Sequence, residues 1–164
     1  MRVGIVSDTH DRLEAIELAV ARFNDIGVKH VFHAGDLISP FTASVFKSLK
    51  AELHIVWGNN DGDKPLLTEK FRGIAKIYGN FMDIELNGRR IAMLHGVNEG
   101  IVKALAKCGE YSLIIRGHTH KPEIRRESKT LIVNPGAASG YLTEKKTIAI
   151  VNLETMEAEL LTLE

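Results

Sequence analysis

Cysteine is nearly missing: Cys108 stands alone among 164 residues. No internal disulfide can form, so a disulfide-stapled scaffold is excluded, and a reducing compartment agrees with the chain. Gly109 follows Cys108 and marks a helix end, and Cys108 reads as a buried or half-buried inert side chain. An excess of either charge is also missing. Lysine plus arginine number 21 and aspartate plus glutamate 21, so no global positive field would gather nucleic acid non-specifically. Long apolar runs are lacking too. The longest, such as Ile91 to Leu94, fall far short of the roughly 20 residues a membrane-spanning helix needs. The stretch from Met1 to Val6 enters a strand-like run with no hydrophobic leader segment, so no secretory signal is expected and the cytoplasm is the default location. Linkers, repeats and low-complexity segments are absent as well, which leaves residues 1–164 to be read as a single domain.

What is present is ordinary globular composition, 45% hydrophobic and 26% charged, in a chain long enough to bury about 70% of its unfolded surface. The first half alternates strand and helix. Val3 to Ser7 is a strand; Arg12 to Asp25 places Leu13, Ile16, Ala19, Val20 and Phe23 at helical spacing before the stop at Gly27. Val31 to His33 is a second strand, Pro40 opens a helix through Leu49, and Leu53 to Trp57 is a third strand. This order predicts a parallel sheet with helices on its faces and ligands at the strands' carboxyl ends. A helix from Pro65 to Arg72 precedes a change of pattern. Met82 to Leu86 and Arg90 to Leu94 flank Asn87-Gly88, a hairpin signal. A helix from Asn98 to Lys107 and a strand from Leu113 to Ile115 follow. Next come a strand pair, Glu123 to Arg126 with Thr130 to Val133, and a terminal hairpin, Thr147 to Leu153 with Ala158 to Leu163. Two facing mixed sheets with helices outside accommodate both halves.

Seven oxygen and nitrogen donors fall at the predicted strand ends: Asp8 and His10, Asp36, Asn59, His95, and His118 with His120. Asp8 and His10 are two apart, a spacing that in extended backbone projects both side chains to one side. His118 and His120 repeat it. Gly35 would let the backbone at Asp36 approach an ion closely, and the Asn59 amide oxygen can bind a cation without adding negative charge. Each residue alone has a plainer reading, as a helix cap, a turn former or a satisfied core histidine. Their recurrence at five successive strand ends is what points to metal. Carboxylate, amide and imidazole donors without thiolate suit hard-to-borderline divalent ions: manganese or nickel first, with iron, zinc, magnesium and cobalt also compatible.

The segments Asp8-Thr9-His10, Gly35-Asp36, Gly58-Asn59-Asn60-Asp61, His95-Gly96 and Gly117-His118-Thr119-His120 resemble the ordered motifs of the calcineurin-like metallophosphoesterases. The match runs from Val3 to about Gly140. The short, cap-free layout, with Asn134-Pro135-Gly136 downstream, is similar to the small bacterial and archaeal phosphodiesterase branch, whose relatives include the retromer small subunit. That resemblance implies an α/β fold, a four-layer α/β/β/α sandwich. It also implies Asp8, His10 and His120 on one ion, Asn59, His95 and His118 on the other, and Asp36 as the bridge. Two such ions would activate water, and hydroxide held between them would attack a phosphodiester.

One residue departs from the family pattern. The commonest third motif is Gly-Asn-His, with the histidine as general acid, and this chain has Asn60 there. An amide can hydrogen-bond a phosphoryl oxygen but cannot donate a proton to a leaving group near neutral pH. In the resembled branch that substitution accompanies phosphodiesterase activity, so a small phosphodiester is the expected substrate, with Asp36 and Asn60 as catalytic positions. A retromer-type scaffold and a phosphomonoesterase are the alternatives. Asp61 is read as a loop cap or a support for the ligands, and Arg116 as a solvated surface residue with a phosphate contact as its alternative. His33 is read as a satisfied strand histidine, and His30 and His54 as structural or exposed. Neither the role of the Asn134 to Ser139 loop nor a homodimer through an apolar patch is decided by the sequence.

Overall fold

The first strand is apolar on both faces, and that dictates where it must sit. In the computed structural model, which describes residues 1–164, β1 (Arg2–Val6) lies inside a six-stranded sheet. Val3 and Ile5 point to one side and Val6 to the other, all fully buried. β2 (His30–His33), β3 (Glu52–Ile55) and β4 (Ala75–Ile77) continue the sheet in parallel. On its other flank β1 pairs antiparallel with β10 (Thr147–Asn152), which pairs with β11 (Glu157–Thr162). The second sheet holds β5 (Phe81–Leu86), β6 (Arg89–Leu94), β7 (Leu113–Ile115), β9 (Thr130–Asn134) and β8 (Glu123–Glu127), in that spatial order. Its three inner strands β6, β7 and β9 run parallel and its edges antiparallel. Both sheets are mixed.

Three apolar clusters define four layers. Helix α1 (Leu13–Ile26), the single-turn α2 (Ala43–Phe46) and α3 (Lys64–Lys70) set Ile16, Phe23, Phe46 and Leu67 against Val6, Val31, Leu53 and Ile55. Between the sheets, Val3, Ile5, Phe32 and Val56 meet Met82, Ile91, Met93, Ile115 and Val133. Helix α4 (Glu99–Cys108) closes the far face with Val102 and Ala106 on Ala92, Ile114 and Ile132. The result is the α/β/β/α sandwich, and no helix is long and apolar enough to cross a membrane.

Several expectations need correcting. The helix expected from Pro40 to Leu49 is a 3-10 turn, Pro40–Thr42, followed by the four residues of α2. Hydroxyls of Thr42, Ser44 and Ser48 each donate to the carbonyl three residues earlier. Such local bonds compete with a longer helix. Strand β4 lies outside the expected elements, because the alternation of Ala75-Lys76-Ile77 is too short to signal a strand. Strand β8 runs one residue past the expected Arg126 to Glu127, and it is an edge strand where charge discourages pairing with another chain. Cys108 is exposed, not buried.

Gly4 lets α1 descend onto β1. A Cβ there would lie 2.5 Å from Phe23 Cε1, and Phe23 is itself fully packed. Gly4→Ala is therefore expected to lower stability by about 1–3 kcal/mol through overpacking, read as a lower denaturant midpoint at unchanged slope.

Candidate metal centre

Because β1, β2 and β3 run parallel in one sheet and β6 and β7 in the other, their carboxyl ends share a single rim. Asp8 and His10 follow β1, Asp36 follows β2, Asn59 follows β3, His95 follows β6, and His118 and His120 follow β7. Backbone hydrogen bonds lock these ends together. Asp8 N donates to Gly35 O at 3.0 Å and Gly117 N to His95 O at 3.0 Å, while His118 N donates to Asp8 Oδ2 at 3.1 Å. That last bond joins the two sheets.

All seven predicted donors meet there. Asp8 Oδ1 lies 3.3 Å from His120 Nε2, 3.8 Å from His10 Nε2 and 3.9 Å from His95 Nε2. Asp36 Oδ2 lies 3.3 Å from His95 Nε2 and 3.6 Å from His10 Nε2. His118 Nδ1 and Asn59 Oδ1 are 3.0 Å apart. The means of convergence differs from the one expected. Asp8, His10, Asp36, His118 and His120 all have positive φ, between 43° and 69°, so neither pair of alternate residues uses extended backbone to aim its side chains. Left-handed conformations in non-glycine residues are uncommon and strained, and they cluster at functional sites.

Neighbouring residues maintain that strain. Asp61, buried behind the loop, accepts three backbone N–H groups: Gly58 at 2.7 Å, Ile38 at 2.9 Å and Asp36 at 3.1 Å. Asn60 donates its backbone N–H to Asp36 Oδ1 at 2.9 Å and its side-chain amide to Oδ2 at 2.8 Å. Gly58 must lack a side chain, since a Cβ there would strike the Asp36 carboxylate, and one at Gly35 would come within 2.8 Å of His95 Nδ1. Gly35 thus lets strand ends approach one another, a different service from admitting an ion. The loop from Asn134 to Ser139 braces the first strand's end, with Ala138 N on Ser7 O and Ser139 N on Asp8 O. Asn134 bonds Gly117 O and Thr119 Oγ1.

Arg116 is a correction: it is 3% exposed, not solvated. Its guanidinium pairs with Glu99 at the start of α4 and donates to Gly96 O at 2.9 Å. No local sequence signal could have shown this, because its partner lies 17 residues away on another element. His33 is the buried strand histidine expected, 3.1 Å from Thr9 Oγ1 and accepting the Gly35 N–H. His30 and His54 lie together beside Glu52, well away from this rim.

The electrostatics favour bound cations. Burial opposes ionisation of Asp36, yet the His95 imidazole beside it and two hydrogen bonds from Asn60 hold its carboxyl well below the usual range. Asp8 is likewise lowered against its burial, by His10 and Ser7. In turn the neighbouring Asp8 carboxylate raises His10, and Asp36 raises His95 despite burial. Asp8 Oδ1, His95 Nε2 and His120 Nδ1 are buried without any hydrogen-bond partner. Orphaned groups of this kind are costly to bury. Donors of Asp8, His10 and His120 fall within 4.8 Å of one another, as do those of Asp8, Asp36 and His95. The residues present therefore fit divalent metal.

A four-layer α/β/β/α sandwich with such donors at its strand ends is the architecture of a metallophosphoesterase. The calcineurin-like phosphoesterase superfamily domain matches residues 1–156, and the chain belongs to that family. A protein of Methanocaldococcus jannaschii named as a phosphodiesterase is 36% identical over 166 residues, covering 100% of both chains. The solved structure of an archaeal phosphodiesterase has a TM-score of 0.95 at 36% identity, over 99% of this chain and 100% of that one. Vps29 of Entamoeba histolytica, solved with zinc, shares the fold at a TM-score of 0.71 and 17% identity, over 100% of both chains.

Two outcomes follow. Asp61→Ala strands the two buried N–H groups of Asp36 and Gly58 and the part-buried one of Ile38, and should cost about 3 kcal/mol or more. Metal affinity, measured by equilibrium dialysis, should fall about 10–100-fold with it. Burial pushes His33 from 6.5 down to about 4, so the unfolded chain binds a proton that the folded chain refuses. Its contribution is complete above pH 6.5 and is lost as pH falls towards 4, by up to about 3 kcal/mol. His33→Gln should flatten that part of the stability profile in chemical denaturation.

Proposed function

We propose that the chain is a two-metal phosphodiesterase acting on a small organic or nucleotide diester. The observation that carries this reading is the pair of buried, unpartnered atoms Asp8 Oδ1 and His95 Nε2, 3.9 Å apart, with His120 Nε2 3.3 Å from that same oxygen, in a chain 36% identical to a named phosphodiesterase. Asp8, His10 and His120 are assigned to one ion and Asn59, His95 and His118 to the other. Asp36 is assigned as the bridge, and in support its Oδ2 stands 3.6 Å from His10 and 3.3 Å from His95, one member of each set. When bound, a divalent pair, manganese or nickel first, supplies an acidified water as nucleophile and neutralises phosphoryl charge.

The protein's own groups prepare the site for that chemistry. Asn60 orients the Asp36 carboxylate through two hydrogen bonds and offers no proton to a leaving group. Departure of a poor leaving group then lacks an acid that typically contributes about 10²–10⁴-fold. Arg116 is committed to Glu99 and Gly96 O, so its guanidinium is not free to take the extra charge of a monoester dianion. An open groove of about 350 Å³ runs from Asn59 and His95 along Trp57, Lys64, Asn80 and Ile101. It gives a leaving group of modest size a half-apolar wall. The scaffold alternative needs no competent donors, and the intact set of seven argues against it.

Metal-stripped protein reloaded with manganese or nickel should hydrolyse bis(p-nitrophenyl) phosphate faster than p-nitrophenyl phosphate. Asp36→Asn should reduce diester turnover at least about 10³-fold while far-UV circular dichroism is unchanged. Asn60→His should raise the ratio of monoester to diester turnover about tenfold or more, since it restores an acid at that position. Robust turnover by Asp36→Asn would refute the bridging assignment, and a preference for the monoester in the unaltered protein would refute the diester reading.

A further inference from the structure

At the opposite end of the parallel strands lies a second group of donors. His30 opens β2 and Glu52 opens β3, and the two are register partners. His54, two residues along β3 from Glu52, shares its face of the sheet. His30 Nδ1 is 3.1 Å from His54 Nε2, Glu52 Oε1 is 3.4 Å from the same nitrogen, and all three donors fall within 4.8 Å of one another. We propose that His30, Glu52 and His54 form a separate mononuclear site for a borderline divalent ion of the zinc class.

The geometry matches that ion. Donors held about 2.0–2.1 Å from a tetrahedral centre lie about 3.3 Å from each other, close to the two spacings observed. His54 is also supported as a ligand should be. Its Nδ1 stands 2.9 Å from the Tyr78 hydroxyl, which can accept the ring N–H and leave Nε2 free to coordinate. Phe32 and Tyr78 stack on the ring, with centroids 4.8 and 5.8 Å away. Only 3% of His54 is exposed, and burial pushes its imidazole down to about 4, so it is neutral at physiological pH.

The Glu52 carboxylate is held ionised by its hydrogen bond to Lys76. That ammonium pairs with the same Glu52 oxygen, on a side chain 64% exposed, and it can swing out as a metal ion enters. With His30 only half-buried and the Glu52 side chain 39% exposed, the fourth position opens to water. His54 and Asn59 are five residues apart along one strand and its exit, roughly 16 Å at strand rise. No ion can therefore serve both places. The chemistry is two imidazoles and one carboxylate, a set that binds zinc, cobalt or copper in preference to magnesium.

The test is zinc stoichiometry on the full chain after chelator stripping, by equilibrium dialysis and elemental analysis. His30→Gln and the more exposed Glu52→Gln should each weaken one zinc per chain at least tenfold. Diester turnover should stay within twofold and circular dichroism should be unchanged. Cobalt substitution gives a second readout: His30→Gln should remove one set of tetrahedral visible bands. Asp36→Asn should lose diester activity and keep this zinc, so undiminished turnover in that variant with retention of the His30-dependent ion refutes the catalytic reading alone. Equal zinc affinity and stoichiometry in the unaltered protein and both variants would overturn the site, the three residues then being a hydrogen-bonded cluster only.

Discussion

The fold depends on bringing strand ends of two sheets closer than side chains normally allow. At Gly35, Gly58 and Gly117 the neighbouring atoms occupy the space a Cβ would need: the Gly58 backbone, the Asp36 carboxylate, and the side chains of Ser7 and Asp8. Packing between the sheets sets the approach, and these three residues permit its last ångströms. Once the ends are this close, hydrogen bonds from one loop to the next leave little freedom to the residues between them. Asp8, His10, Asp36, His118 and His120 are then held in a backbone conformation they would not choose. The strain is stored where the donors are.

That arrangement also concentrates charge. Two carboxylates, Asp8 and Asp36, are fully buried in a pocket whose remaining lining is imidazole and amide. Without cations the histidines supply partial compensation by holding protons more tightly, as His10 and His95 do. Removing charge from water is costly unless it is paired. Asp61 adds a third buried acid, but one with its oxygens fully employed by backbone N–H groups. The distinction separates a structural carboxylate from one whose oxygen, like Asp8 Oδ1, is left without a partner.

Much of this was legible in the sequence, for identifiable reasons. Strands buried on both faces read as continuous apolar runs, the Asn87-Gly88 turn announced its hairpin, and five short motifs at strand ends named the residues that meet at the rim. The four layers came from family resemblance and were then found in three separate apolar clusters. What escaped were consequences of distance along the chain. Arg116 is buried only because Glu99 comes to meet it, and β4 exists only because β3 offers an unpaired edge. His30 and His54 looked unremarkable until strand register set them beside Glu52. The hydroxyl-rich stretch from Ser39 to Ser48 kept helical spacing in its apolar residues while its own side chains shortened the helix.

The placement of β10 has a further consequence, for the order of assembly. The strand that leads into Asp8 and His10 is flanked on one side by β2 and on the other by residues 147–152. Leu153 N closes the arrangement on Met1 O at 2.9 Å. Local segments can collapse early, but the central sheet stays open along one edge of β1 until residues 147–152 have been made. Contacts this far apart in sequence slow folding. A nascent chain would thus leave the ribosome with its first strand half-zippered, an exposed edge that a chaperone or an aggregating neighbour could find before β10 does.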